Sequence, residues 1–510
     1  MASRRVRGQG LGSCDVDLLS YADVDRLRDD LVAAGYHYEG VADLLGPTAH
    51  QALFRNETTP GLRATRDRSP LATLTRLFLL QAPVPVADVE AALPGLLDRL
   101  CVAGMLERSI GEVRARMDLR PYADDRRGWW VVSDLTPGLD GTGIAVGPDH
   151  VLGISSASSS LAQLTVRDPV DRALDLGTGC GVQALHLGEH AGHIVATDVN
   201  ERALAMTRLN AQLNGIEIDD RAGSLYDPVA GERFDLVVTN PPFVVSPGTG
   251  ERLVYRDSGL PGDEMVRRVV AGAPDHLAPG GRAQVLANWV HRTGESWQER
   301  VAGWVEDRGV DAWVVQREVA DPAEYVELWL KDAGVHGTAA YAARYDTWLS
   351  WFADQGIEGV GFGWINLRRV DREPVLHLEE WPFDVEQPLG PEVADRGRRT
   401  DLLAATPDLA DTHLVVRPDV RQETSGQPGE ADPETIVLRQ QRGMRRAHQA
   451  DTVIAGLVGA CDGDLTVGQI LDALASLLDR DAAGLRADYA AEVRELVAAG
   501  FLDVAEGHQS

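Results

Sequence analysis

A doubly wound α/β sheet in the middle of the chain, with a smaller helical, winged-helix-like module on each side, is the fold that the sequence predicts. Three observations carry this expectation. Between about residues 149 and 370, short β-rich runs alternate with helical segments, the pattern of a parallel sheet covered on both faces. The first run ends in an acidic residue and a glycine-rich turn, Asp175-Leu-Gly-Thr-Gly-Cys-Gly181, which leads straight into a helix. Outside this region, groups of short helices are followed by single strands, and 510 residues are too many for one ordinary core.

The N-terminal part divides into a disordered tail over 1–14 and a module over 15–148. Helices are predicted at 23–34, 41–54, 70–81, 86–93 and 97–105, with a strand at 113–119. Three short helices and a strand look like a winged helix, which serves nucleic acid binding and protein docking alike. Arg63, Arg66, Arg68 and Arg76 mark the patch that the nucleic-acid reading would use. In the central region, 149–370, strands are predicted at 173–176, 194–197, 234–239, 283–287 and 361–367. Helices are predicted at 182–189, 201–213, 264–276, 322–330 and 339–352. Trp329, Trp348 and Trp351 on the last two read as packing residues. An acidic, loop-rich linker is expected over 371–433. The final module, 434–510, is expected to run from a strand at 435–438 through helices at 450–461, 467–478 and 487–499 to a strand at 501–504, again winged-helix-like. Its arginine cluster, Arg442, Arg445 and Arg446, suits a protein partner at least as well as RNA.

Composition narrows the function classes. Apolar content of 44% and charged content of 25% are those of a soluble globular protein. A net charge of −29 argues against a broad electrostatic grip on nucleic acid while leaving room for a local basic patch. No run approaches the roughly 20 apolar residues of a membrane span, and the three arginines among residues 1–10 are not followed by the apolar stretch of a signal peptide. The expected location is the cytoplasm. Cys14, Cys101, Cys180 and Cys461 are far apart and have no histidine at ligand spacing, so neither a disulfide framework nor a metal site is expected.

The glycine-rich turn is built for close approach of a ligand, because no Cβ stands between the backbone and its surface. Its spacing is GxGxG rather than the GxGxxG of dinucleotide folds, and no Lys-Ser or Lys-Thr pair follows to capture phosphate. A ligand without phosphate fits. Asp198 lies 17 residues beyond Gly181, at the end of the second strand. A carboxylate there can accept both hydroxyls of a ribose, or cap the helix starting near Asn200, or both. Ser224 and Leu225, after a presumed third strand, are placed to bracket an adenine ring.

Asn240-Pro241-Pro242-Phe243 follows the apolar run 235–239, at the carboxyl end of a sheet strand where open α/β folds bind ligands. An amide or aromatic-amine nitrogen is a poor nucleophile because its lone pair is delocalised. The Asn240 side-chain oxygen and the Pro241 carbonyl can each accept one N–H of such a group and aim the lone pair at an electrophile. Pro241 and Pro242 keep the backbone stiff, and Phe243 can stack on the planar acceptor. Alone, the tetrapeptide also reads as a rigid turn.

In this order and spacing, the Asp175–Gly181 turn, Asp198 and Asn240–Phe243 resemble the class I S-adenosylmethionine-dependent methyltransferases. Within them the likeness is to the HemK-type glutamine-N5 methyltransferases and the ribosomal RNA "small domain" enzymes, over roughly 151–287. The resemblance implies a Rossmann-like fold with S-adenosylmethionine as cofactor. Gly177, Thr178, Gly179, Cys180 and Gly181 would contact its methionine part, Asp198 its ribose, and Ser224 and Leu225 its adenine. Asp175 would hold the turn and orient the methionine amino group, and Asn240 would border cofactor and acceptor alike. The implied acceptor is a glutamine amide of a release factor or ribosomal protein, with the ribosome as the setting. The alternative is an rRNA base, at guanine N2 or adenine N6. A further alternative, of another class, is a non-catalytic cofactor-binding scaffold in ribosome assembly. Phe243 stands where the HemK group usually has tyrosine, which is closer to the guanine-N2 enzymes. Val244-Val245-Ser246-Pro247, Gly259-Leu-Pro-Gly262 and Ala278-Pro-Gly-Gly281 look more like the HemK line.

Overall fold

In the computed structural model, residues 18–136, 139, 149–248, 258–333, 337–427 and 433–505 are described. The tail expected over 1–14, with Cys14, lies outside them. Eight strands form the central sheet: β1 (Val170–Leu176), β2 (Ala191–Asp198), β3 (Asp219–Ala222), β4 (Phe234–Thr239), β5 (Leu277–Arg292), β6 (Val310–Ala320), β7 (Ile357–Arg369) and β8 (Leu376–Glu380). Their spatial order is β8-β6-β7-β5-β4-β1-β2-β3. β1 to β5 are mutually parallel, β7 runs antiparallel to both β5 and β6, and β8 is parallel to β6. The chain starts in the middle, winds outward through β2 and β3, then returns to build the other half. That reversal at β1 and β4 creates the crevice in which doubly wound folds bind ligands.

Both faces of the inner strands are apolar because both are covered. Leu174, Val195, Val237 and Val285 face α4 (Glu264–Gly272) and α5 (Trp297–Ala302), while Ala173, Ile194 and Val238 face α2 (Val182–Leu187). The remaining helices of the region are α1 (Ser156–Leu164), α3 (Glu201–Leu213), α6 (Pro322–Asp332), α7 (Ala339–Asp354) and α8 (Gly390–Ala405). Local sequence starts several of them. Ser155 and Ser158 make a reciprocal capping box for α1, and Asp321 accepts the first amides of α6 at 2.8 and 3.0 Å.

The region preceding the sheet shares its core. Helices Tyr21–Ala33, Tyr38–Leu53, Pro70–Leu74, Val86–Ala92 and Leu97–Val102 surround a small antiparallel sheet of Val84–Pro85, Glu112–Ala115 and Leu106–Arg108. The strand expected at 113–119 is two strands that change partner after Ala115. The second, Met117–Ala123, pairs with Gly128–Asp134 in a hairpin that lies on α3. Asn210 of α3 and Asn214 at its C-cap bind the backbone of Val132 and Trp130 at 2.7 to 2.9 Å, and Met206, Leu209 and Leu185 join the N-terminal core.

The acidic linker expected over 371–433 is corrected. It contains β8, α8 and the strands His413–Val416 and Val420–Ser425. Hydropathy misses β8 because it is an edge strand whose acidic side chains have partners. Glu379 accepts from Trp313 Nε1 at 2.8 Å and from both Arg446 guanidinium nitrogens at 2.6 and 2.9 Å, and Glu380 accepts from Trp297 Nε1 at 3.1 Å. It misses α8 because Glu392 and Arg399, two charged residues, are buried as a pair. Strand β6 was not anticipated, and β5 and β7 extend past the predicted 283–287 and 361–367. The C-terminal module packs helices Thr452–Ala460, Val467–Leu477 and Ala482–Ala498 with a sheet of Asp462–Thr466, His413–Val416 and Leu502–Val504.

Candidate functional site

Strand register gathers the predicted residues. Leu176, Thr197 and Thr239 are lateral neighbours at the tips of β1, β2 and β4, and Asp198 pairs with Ala222 of β3. The glycine turn, Asp198, Ser224 and Asn240 therefore emerge at one end of four adjacent strands. Cross-strand bonds fix the tips: Gly177 N and Thr178 N donate to Thr197 O at 2.8 and 2.9 Å, Thr239 Oγ1 donates to Leu176 O at 2.7 Å, and Gly223 N donates to Asp198 O at 3.0 Å.

Gly177, Gly179 and Gly181 all have positive φ, at 74°, 59° and 84°, a region costly for other residues. Space lies beyond the first two, where an added Cβ would meet nothing within 4 Å. At Gly181 it would press on Thr207 at 3.0 Å, so that glycine serves the approach of α2 to α3. A ligand can thus lie against Gly177 and Gly179. The side chains between them face inward. Thr178 Oγ1 donates to Asp175 at 2.7 Å, and Cys180 is buried in the core shared with the N-terminal region. Burial pushes the Cys180 thiol up to about 12, which leaves it no nucleophilic role.

Asp175 is 1% exposed and also accepts from Ala184 N of α2 at 3.0 Å, so it ties strand, turn and helix together. Burial drives its carboxyl up to about 7, against the pull of the Thr178 and Ala184 bonds, and Asp198 adds to the rise. Asp198 is half-buried. Its Oδ2 accepts from Gly179 N at 3.0 Å and its Oδ1 from Asn200 N at 2.9 Å, and burial still raises it above the usual carboxylate value. It does not cap α3. That role belongs to Asn200, whose side chain accepts from Arg202 N at 3.0 Å. Ser224 is exposed beside Asp198. Leu225, at φ 48°, turns partly into the core under the sheet.

Asn240 carries the clearest chemical signal. Its Oδ1 is buried and has no hydrogen-bond partner among the described residues. Buried carbonyl oxygens are nearly always satisfied, so one left over on the residue that follows a strand tip is suited to accept from a ligand. Pro241 is buried, Pro242 and Phe243 are half-buried, and Val244 and Val245 anchor the segment in an apolar cluster. Phe243 meets Trp329 edge-on at 6.1 Å. The tryptophans of α6 and α7 pack in that cluster, Trp329 and Trp348 buried and Trp351 half-buried.

One residue of this wall gave no sequence signal. Tyr325 of α6 is fully buried, and its hydroxyl accepts from Val245 N at 2.9 Å and from Asn288 Nδ2 at 3.2 Å. It fastens the segment after Asn240 to β5. A tyrosine inside an amphipathic helix reads as ordinary packing until the fold shows what its hydroxyl reaches.

The predicted arginine patches are engaged in structure only in part. Arg68 forks onto Asp88 at 2.7 and 2.8 Å, and Arg76 binds the 62–65 backbone and Thr65. Arg446 holds Glu379 and lies over Trp381. Arg63, Arg66, Arg442 and Arg445 are exposed. Among the described residues no group of three His, Cys, Asp or Glu side chains is placed to hold a metal, and no helix is long and apolar enough to cross a membrane.

The donor set suits S-adenosylmethionine: a bare backbone surface at Gly177 and Gly179, a carboxylate at Asp198, and an orphaned carbonyl oxygen at Asn240 for the acceptor. Comparison with known proteins agrees. A family model described as "Methyltransferase small domain" matches residues 153–302, and two domain families of unknown function, DUF7059 and DUF7782, match 33–116 and 397–504. The release factor glutamine methyltransferase of Xylella fastidiosa (strain Temecula1) is 32% identical over 195 residues, which are 36% of this chain and 68% of that protein. The ribosomal protein uL3 glutamine methyltransferase of Bradyrhizobium diazoefficiens is 33% identical over 22% of this chain and 39% of its own. The ribosomal RNA small subunit methyltransferase C of Alcanivorax borkumensis is 32% identical over 23% of this chain and 32% of its own.

Proposed function

The chain belongs to the small-domain methyltransferases, and on that premise we propose that it methylates the side-chain amide nitrogen of a glutamine in a protein of the translation machinery, with S-adenosylmethionine as donor, in the cytoplasm. The observation that carries the acceptor chemistry is the buried, unpartnered Oδ1 of Asn240. A primary amide brings two N–H groups. One donates to Asn240 Oδ1 and the other to the Pro241 carbonyl, which fixes the amide plane and turns the nitrogen lone pair toward the donor. Phe243, braced by Trp329, supports the plane from one side.

The bound cofactor supplies an electrophilic methyl on a positively charged sulfur. The chain's own residues place it: Gly177 and Gly179 against its amino-acid part, Asp198 on its ribose hydroxyls, Ser224 and Leu225 beside its adenine. Asp175 keeps the turn in shape and, when ionised, contributes negative charge toward the amino group. Transfer would break the bond between the methyl and the donor's sulfur, whose electron pair stays on a neutral thioether, and the alkylated nitrogen would lose its proton to solvent, so no side chain of high basicity is required. Fixing two reactants in this way is worth ~7–11 kcal/mol of barrier. A protein acceptor is favoured over an RNA base by the net charge of −29 and by the engagement of Arg68, Arg76 and Arg446 within the fold.

The test is labelling of cell extract with methyl-tritiated cofactor and the purified chain. Label that survives nuclease and is lost to protease is the expected result. Label lost only to nuclease would transfer the reading to an rRNA base, and cofactor binding in calorimetry with no label in any fraction would leave only the scaffold.

A further inference from the structure

Away from the strand tips, a solvent-open cleft lies between α8 and the half of the sheet formed by β5, β7, β6 and β8. Two lateral rows of side chains floor it. Arg282, Arg368 and Asp311 are neighbours across β5, β7 and β6, and so are Gln284, Asn366 and Trp313, with His377 of β8 beside Trp313. Arg396, Gly397 and Thr400 of α8 close the top. The space between a helix and a sheet is normally filled by apolar side chains, so a cationic gap there calls for a physical reason.

Most polar groups of the cavity are already matched. Asp311 takes the Arg372 fork at 2.5 and 2.8 Å, and Arg368 binds Gly397 O at 2.9 Å and also Asp401. Gln284 is spent on Val166, Leu164 and Asn366. Two guanidiniums are left over. Arg282 makes no hydrogen bond or ion pair among the described residues, and its Nη1 is buried without a partner. Arg396 has only the face of Trp313, with its guanidinium carbon 4.7 Å from the ring centre. The nearby carboxylates attract them at range without bonding to them: Asp168 and Asp401 act on Arg282 and Glu379 and Glu392 on Arg396, while Glu379 itself is bound by Arg446 and Trp313 and Asp168 lies 3.9 Å from Arg398.

The energetic sign is consistent. Burial pulls both arginines below the ordinary arginine value, Arg396 to about 10, and the Arg368 charge adds to the effect on Arg282. Half-buried guanidiniums with no hydrogen-bonded counter-ion leave donors that a bound anion can take up. Gly397 keeps the room. A Cβ at this position would come within 3.1 Å of Arg368 Nη1 and 3.4 Å of Arg282 Nη2.

We propose that this cavity binds a small organic dianion, held by Arg282 at one end and Arg396 at the other. Two charges are called for because two guanidiniums are unmatched. An organic body is called for because the two arginines stand on elements too far apart for one inorganic ion to reach both. The Trp313 ring and Val393 give that body an apolar wall. Arg282 and the Trp313 beneath Arg396 stand two strands apart, roughly 10 Å, so the ligand spans the gap rather than sitting at one point. This site is separate from the strand-tip site. It touches α8, which packs on the C-terminal helix Ala482–Ala498 and carries the buried Glu392–Arg399 pair, so occupancy would stiffen the junction between sheet and C-terminal module.

The experiment is isothermal titration of the full chain with glycerol 3-phosphate, whose charges share one end, with succinate, whose charges are at two ends, and with acetate as a monoanion. Thermal denaturation is followed in parallel. One-to-one binding of at least one dianion is expected, about tenfold or more weaker in both Arg282→Gln and Arg396→Gln and unchanged in Arg55→Gln. Both cavity variants should melt no lower than the parent without ligand, because each removes an uncompensated charge, and should lose the ligand-induced rise in Tm. Succinate, with charges at two ends, is expected to bind more tightly than glycerol 3-phosphate, and the reverse order would overturn a ligand that spans the two arginines. The proposal is overturned if neither dianion binds, if acetate binds as well as they do, or if binding is indifferent to both substitutions.

Discussion

Asn240, Asp198 and Asp175 sit within one strand-tip crevice and do different work there. Asn240→Ala should lower turnover about 100-fold, the scale of losing one polar group matched to the reacting atoms, and leave the cofactor Kd nearly unchanged. Asp198→Ala should instead raise that Kd by about 10- to 100-fold, the worth of its charged hydrogen bonds. Equal loss of cofactor affinity in both would refute the division. Asp175 sets a pH dependence. Its carboxyl stands near 7 in the folded chain, above its value when unfolded, so its stabilising contribution is complete below about pH 4 and is lost as pH rises through about 7. A cationic cofactor favours the ionised form, so cofactor affinity should rise over the same interval. Titration calorimetry across it should show that rise in the parent and a flat profile in Asp175→Asn. These residues were legible in the sequence because each belongs to a contiguous backbone motif at a strand end. The side-chain direction of Cys180 was not legible: a motif gives position, and only packing decides that the sulfur points into the N-terminal core.

Among the elements, α6 and the segment after Asn240 form one mechanical unit. Tyr325→Phe keeps the ring and removes the hydroxyl that receives Val245 N and Asn288 Nδ2. Leaving two buried donors unmatched should cost about 1–3 kcal/mol of stability. It should also lower turnover at saturating cofactor, and a variant that loses stability alone would show that Tyr325 only packs. The inner strands β1, β2 and β4 were legible because strands buried on both faces read as continuous apolar runs. β8 and α8 were not. Both are held by charges that are buried or paired inside the fold, and a sequence read by hydropathy places such charges in solvent.

For the molecule as a whole, the three regions are bound by shared interfaces rather than strung on linkers. The N-terminal region and α2 and α3 share one core, so cutting at residue 149 exposes Leu185, Met206 and Leu209. The central region expressed alone is expected to be insoluble. The C-terminal module is clamped through Glu379 and Arg446. Although burial raises Glu379, the bonds from His377 and Arg446 hold it well below the usual carboxylate range. Its stabilisation is therefore present above about pH 4.5, its value when unfolded, and lost as pH falls. Glu379→Gln should cost about 3 kcal/mol, as for a broken buried pair, and should flatten the acid limb of the Tm profile. The division of the chain into a central sheet and two flanks could be read from the alternation of strands and helices. How firmly the flanks are joined could not, because Asn210, Asn214 and Arg446 act across distances that no local pattern records. What the strand tips hold together defines the enzyme, and the atom that receives the methyl group tests it most directly. That atom can be identified by mass spectrometry of acceptor labelled by the parent chain and by Asn240→Ala. The account predicts a methyl on a glutamine amide nitrogen, made by the parent and nearly absent with the variant. A methyl on oxygen, sulfur or carbon, or one installed equally well without Asn240, would contradict it.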